Sequence, residues 1–247
     1  MACTISVEEK PLLNDPILIE GLPGIGFVAN IVALHLIKEL KAQRFARIFS
    51  ASFQDLAIAT ETGEPRTPIN ELYYYKNSSG RDLIIWYGNT QALTTFGQYE
   101  LCGKVLSLIE ELGCKFIITI GGYRQEEPKD VREVYCAASD PETLNMALGL
   151  GTKVMVGNIF GIAGILIALG ALKGFKGFSI LVETPGLYPD AKAASYAINI
   201  LNKFLGLNVS SSGLDLIAEE ISKILESFGW VKAQEKQKKW EEFKWFV

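Results

Sequence analysis

Apolar positions along this chain come in two alternating rhythms. Short continuous runs, such as ILIE (Ile17–Glu20), KFIITIGGY (Lys115–Tyr123) and FSILVE (Phe178–Glu183), predict strands buried on both faces. Between them lie stretches with helical spacing. FVANIVALHLIKEL sets Val28, Ile31, Val32, Leu34 and Leu36 for a largely buried helix, and Tyr99–Leu112 carries Leu101, Val105, Leu108, Ile109 and Leu112 on one inner face. RFARIFSASF and DLAIAT are β-rich, and ELYYYKNSSGRDLIIWYGN reads as a hairpin turning at Lys76–Gly80. EVYCAAS follows, then a short helix opening at SDPET, capped by Ser139 or Asp140 with Pro141 in its first turn. Strand KVMV and helix IAGILIALGAL continue the alternation. After Glu183 the chain is helical through DAKAASYAINILNKFLGL and SGLDLIAEEISKILESFGW.

Strands alternating with helices predict an α/β protein: a three-layer α/β/α sandwich with a mixed, mostly parallel sheet, its antiparallel portion between Arg44 and Trp86. No linker divides the chain, so residues 1–229 read as one domain. Composition changes at Trp230. The last stretch, residues 230–247, carries Lys232, Lys236, Lys238, Lys239 and Lys244 against Glu235, Glu241 and Glu242, with almost no aliphatics. It has too little apolar surface for a core and reads as a projecting helical or mobile arm. Its tip is Trp245, Phe246 and Val247. An apolar tip either folds back onto its own domain or docks into a partner, because chain ends are ordinarily polar.

Charge and cysteines narrow the classes. A formal charge of −4 gives no basic footprint for nucleic acid. Cys3, Cys102, Cys114 and Cys136 form no CxxC pattern, and MACTISVEEK lacks the basic and apolar regions of a leader. Reduced, buried thiols in a cytoplasmic protein are expected. The apolar stretch Val154–Phe175 has the length of a membrane span, but Gly157, Gly161, Gly164, Gly170, Gly174 and Asn158 suit a strand, a glycine turn and a buried helix better.

Candidate chemistry is sparse. GLPGIG follows a strand and precedes a helix, yet Gly21, Gly24 and Gly26 run in the order G-x-x-G-x-G, the reverse of a dinucleotide loop. Phe27, Val28 and Ala29 supply neither the lysine nor the hydroxyl of a phosphate-binding loop. The backbone amides there could hold an anion; a tight turn that lets the helix pack closely explains the glycines equally. His35, the only histidine, sits in a helix between leucines without a metal or catalytic companion. Without a histidine partner, Cys102 and Cys114 would be hard to activate as nucleophiles. GGYRQEEPKD places Arg124 at the end of an expected central strand, where open α/β sheets bind ligands, with Glu126 and Glu127 beside it. In ETPGLYPDAKAA, Glu183 and Asp190 are either paired carboxylates or a turn residue and a helix cap.

These loops also carry a family resemblance. ILIEGLPGIGFVANIVALHLI, IGG at Ile120–Gly122, GNIFGIAGILI at Gly157–Ile167 and ETPGLYPDAKAASYAINILNKFLGL together resemble the archaeal branch of the proteasome assembly chaperone 2 family. The glycine-rich turn and the YPD-x-x-AA loop are the more specific parts. The resemblance implies a nucleoside-phosphorylase-like fold used as a binding scaffold without catalysis or cofactor. It implies a homo-oligomer that binds the α-subunits of the 20S proteasome. Members of this family and proteasome activators can end in hydrophobic–tyrosine–any residue, a tail that enters pockets between neighbouring α-subunits. Trp245-Phe246-Val247 matches with Phe246 in the tyrosine position. The missing hydroxyl removes one hydrogen bond, about 0.5–1.5 kcal/mol, which bears on gate opening more than on docking. Two alternatives stay open: a phosphorylase- or ATP-grasp-like enzyme using the glycine loop and Arg124, and an unrelated oligomeric scaffold whose tail packs on its own core. The chain shows no lysine pair or metal-ligating carboxylate–asparagine set of the ATP-grasp kind.

Overall fold

A computed structural model describes residues 3–59 and 62–227. The arm 230–247, and with it Trp245, Phe246 and Val247, lies outside the described residues. In chain order the elements are β1 (Cys3–Val7), β2 (Ile17–Gly21), α1 (Val28–Leu40), β3 (Gln43–Ser50), β4 (Ile58–Ala59), β5 (Pro65–Arg66), β6 (Asn70–Tyr75), β7 (Leu83–Gly88) and α2 (Thr95–Glu111). Then come β8 (Phe116–Arg124), β9 (Val134–Cys136), α3 (Pro141–Gly149), β10 (Lys153–Val154), α4 (Ile162–Leu172), β11 (Lys176–Thr184), α5 (Ala191–Leu205) and α6 (Leu214–Ser227).

Nine strands form one sheet in the order β1-β3-β6-β7-β2-β8-β11-β9-β10. The sheet is mixed, as the pattern predicts, but parallel pairs do not predominate. β7–β2, β2–β8, β8–β11 and β9–β10 are parallel; β1–β3, β3–β6, β6–β7 and β9–β11 are antiparallel. Parallel pairing needs a crossover, so it is concentrated at the centre, where α2 carries the chain past β2 from β7 to β8 and α4 carries it past β9 from β10 to β11. DLAIAT contributes only to a separate ribbon, β4 with β5.

The central strands are apolar on both faces because each face is covered. Ile17 and Ile19 of β2 point into a core shared with α1, α5 and α6, while Leu18 points into a second core shared with α2 and α4. That period-two alternation makes ILIE a continuous apolar run. Helix starts follow their caps: Thr94 accepts from Gly97 N for α2, Asp140 from Thr143 N for α3 and Asp190 from Ala193 N for α5. Among the described residues no helix is long and apolar enough to cross a membrane.

One residue breaks the apolar rule. Glu20 alternates with Leu18 toward the α2–α4 layer and is fully buried. Its Oε1 accepts from Leu22 N at 2.9 Å, whereas Oε2 has no hydrogen-bond partner. Burial pushes its carboxyl up to about 8, against the opposing pull of the Leu22 and Ile120 amides, so the group is largely protonated at neutral pH.

This makes stability depend on pH in a defined direction. Between the ordinary carboxyl range and about pH 8 the folded chain holds a proton that the unfolded chain has released, so Glu20 lowers stability progressively as pH rises. Its contribution is complete in acid, below the unfolded value, and lost by about pH 8. Glu20→Gln should therefore stabilise the protein at pH 8 and change it much less at pH 4. Urea unfolding at the two pH values checks this; an equal effect at both would mean that Glu20 is not proton-linked.

Candidate functional site

The candidate ligand loops meet where β2, β8 and β11 end. The parallel register sets Arg124 of β8 beside Thr184 of β11. The three glycines of the turn after β2 serve different purposes. A methyl at Gly21 would collide with Ala33 Cβ, so this glycine lets α1 lie close on the sheet. Gly26 has a left-handed backbone, φ 64, and a methyl there would sit 2.6 Å from Thr184 Oγ1. Gly24 is extended, with open space around it. A methyl at Gly186 would meet Ile25 and approach Arg124 Cγ at 3.9 Å. The geometry thus brings the turn at Gly24–Gly26 and Arg124 together around Gly186, and leaves Gly21 in the α1 packing.

Asp190 ties this junction. Its backbone N–H donates to Gly26 O at 2.9 Å, its Oδ1 accepts from Ala193 N at 2.9 Å and its Oδ2 accepts from Thr184 Oγ1 at 2.8 Å. Thr184 Oγ1 in turn accepts from Gly186 N at 3.2 Å, and Gln125 N donates to Thr184 O at 2.9 Å. Beside Asp190 lies Arg132, whose Nη2 is 3.7 Å from Oδ2. Of the two readings of Asp190, the cap holds. Glu183 works separately: its oxygens accept from Glu133 N at 3.2 Å and Tyr135 Oη at 3.3 Å.

In open α/β sheets ligands settle where neighbouring connections leave in opposite directions. Here α1 follows β2 on one face and α2 follows β7 on the other, so that crevice lies between the ends of β2 and β7. Two amide side chains fill it. Asn30 Nδ2 donates to Gly88 O at 2.6 Å and Gly21 O at 3.3 Å, and Asn30 is buried. Gln91 Nε2 donates to Pro23 O while its Oε1 accepts from Ile162 N at 3.4 Å. These contacts engage the carbonyls of Gly21, Pro23 and Gly88 and the N–H of Ile162, tying the ends of β2 and β7 to each other and to α4.

Other reactive side chains are equally occupied or masked. His35 Nε2 donates to Ser210 O at 2.6 Å and the ring is buried, a structural role. All four cysteines are free and buried, and burial pushes the thiols up, Cys114 to about 11. Among the described residues no group of three His, Cys, Asp or Glu could hold a metal ion. Arg124 is exposed, as are Glu126 and Glu127, and Arg124 has no ion-pair partner among the described residues. Asn30 was legible as a polar residue inside the apolar run VANIVAL; Gln91, Thr184 and Arg132 carried no comparable signal.

The PAC2 family model matches residues 18–228. The uncharacterized protein MJ1210 of Methanocaldococcus jannaschii is 31% identical, over 90% of this chain and 86% of its own. Among solved structures, Pyrococcus furiosus PbaB, an archaeal proteasome activator, superposes with a TM-score of 0.82 at 37% identity, covering 92% of this chain and 99% of that chain. Pyrococcus furiosus PbaA, an archaeal homolog of proteasome-assembly chaperone, superposes with a TM-score of 0.73 at 29% identity, covering 91% of each.

The separate duties of the glycines can be measured. Gly24→Ala should change stability by no more than about 0.5 kcal/mol, the usual range for an open position. Gly26→Ala should cost about 1–3 kcal/mol through its left-handed backbone and the clash with Thr184. Asp190→Ala should cost about 2–4 kcal/mol, since it removes a cap and strands Arg132. Equilibrium denaturation of the three variants checks the order. A Gly24→Ala cost equal to that of Gly26→Ala would show that the turn is packed differently.

Proposed function

The chain belongs to the PAC2 family, and from that premise we propose that it is a non-catalytic, self-associating proteasome-binding protein. Its relatives include a proteasome activator and a proteasome-assembly chaperone homologue. The observation that carries the reading is the 37% identity to PbaB over 92% of this chain. In this reading residues 1–229 form the body, and the arm 230–247 presents Trp245, Phe246 and Val247 to pockets between α-subunits of the 20S proteasome. Burial of one large apolar side chain contributes about 1.5–3 kcal/mol, and the terminal carboxylate can pair with a cation in the pocket. One tail should bind weakly, because ordering the arm offsets part of this. Several tails on one homo-oligomer bind far more tightly through effective concentration. The engaged amides of Asn30 and Gln91 support a scaffold over the phosphorylase- or ATP-grasp-like alternative.

Deleting Trp245–Val247 should leave thermal stability nearly unchanged and weaken binding to purified α-subunits about tenfold or more, each 1.4 kcal/mol per tail being about a factor of ten. Phe246→Tyr should preserve or strengthen binding, and one residue added after Val247 should weaken it by moving the carboxylate. A truncation that lowers the melting temperature by several degrees and leaves binding intact would instead place the tail on the chain's own core. Self-association should survive in a chain ended at Phe228. A monomer in sedimentation would move the oligomer contact into the arm.

A further inference from the structure

The YPD loop singled out in the sequence has a member that the fold does not use. Asp190 caps and ties, and Pro189 shapes the turn, but Tyr188 stands 61% exposed and its phenol has no partner among the described residues. It stands on the rim of a cleft of about 470 Å3 between the β11–α5 loop and α6. That volume falls within the range of small-ligand sites. Pro185 and Pro189 line it beside Tyr188, and Arg132 lines it from within.

Arg132 is left short of partners in the same cleft. Its side chain is only 10% exposed, and neither Nε nor Nη1 has a hydrogen-bond partner. A guanidinium carries five donors, and buried donors left unpaired are costly. Its single ionic neighbour does not meet that demand: Nη2 stands 3.7 Å from Asp190 Oδ2, beyond a hydrogen bond. The Asp190 oxygens are meanwhile committed to Ala193 N and Thr184 Oγ1. The α5 N-terminus opens onto the same cleft at Ala191 and Lys192, and its dipole favours an anion there. Asp215 and Glu219 of α6 form the facing wall and would repel a polyanion. We propose that this cleft binds a ligand bearing a single oxyanion, a carboxylate or a phosphate, on Arg132, with Tyr188 closing over it.

The oxyanion draws the guanidinium away from Asp190, which keeps its own bonds, and satisfies donors that the unliganded fold leaves unmade. The test uses the full chain with inorganic phosphate and acetate as probes, each titrated at constant ionic strength against chloride. The Arg132 Nε–H resonance, assigned from its loss in Arg132→Lys, should shift saturably at millimolar probe, and the melting temperature should rise with it. Arg132→Gln should abolish both responses. Tyr188→Ala, an exposed change that leaves the fold intact, should weaken binding several-fold, and it decides the matter if Arg132→Gln fails to fold. A response to phosphate alone assigns a phosphorylated ligand; a response to acetate as well assigns a carboxylate. A shift that never saturates and matches the chloride control, or a thermal gain that persists in Arg132→Gln, would overturn the proposal.

Discussion

The Asp190 carboxylate and its own N–H bind the glycine turn at Gly26, distant in sequence, to the end of β11 at Thr184 and the start of α5 at Ala193. That tie holds the turn from the β11 side, while Gln91 Nε2 holds Pro23 O from the β7 side; the α1 N-terminus has no side-chain cap of its own. Gly26 must adopt a left-handed backbone so that Thr184 can stand close enough to serve as the bridge. Placement of α1 follows from the same constraint, because Gly21 brings that helix down onto the sheet only if the turn between them is held.

Asp190, Thr184 and the turn at Gly26 spend their polar groups on one another, which suits a scaffold. Catalytic sites generally keep a titratable group in an accessible place with a shifted proton affinity. Here the large upward shift at a carboxyl belongs to Glu20, sealed between strand and helices, and Asn30 and Gln91 fill the crevice where open α/β folds take ligands. The body is thus built to hold its shape. In the proposed function its work is to gather several C-terminal arms into one assembly, where weak individual contacts add up through proximity.

Much of this was legible in the residues. The helix IAGILIALGAL spans the bounds its apolar pattern implies, Asp140 and Asp190 cap where their position before a helix predicts, and the Lys76–Gly80 turn closes a true hairpin between β6 and β7. The misses have physical causes. CTISV does alternate apolar Cys3, Ile5 and Val7 with Thr4 and Ser6, a strand signal left unused; what the residues do not show is its partner, β3, with Cys3 paired to Ser50. Equal shares of parallel and antiparallel pairing arise from such non-local choices, which periodicity does not encode. Arg132 is hidden in the sequence among the charged residues of KDVRE, and only the fold reveals that it is buried beside Asp190.

The central claim is that the chain reaches its partner through the arm and not through the face of the sheet. A synthetic peptide spanning residues 238–247, added to full-length protein bound to rings of purified α-subunits, tests it most directly. The account predicts that the peptide displaces the protein competitively, and that a peptide lacking the last three residues does not. Protein that stays fully bound at saturating peptide would contradict it and place the interface on the globular body.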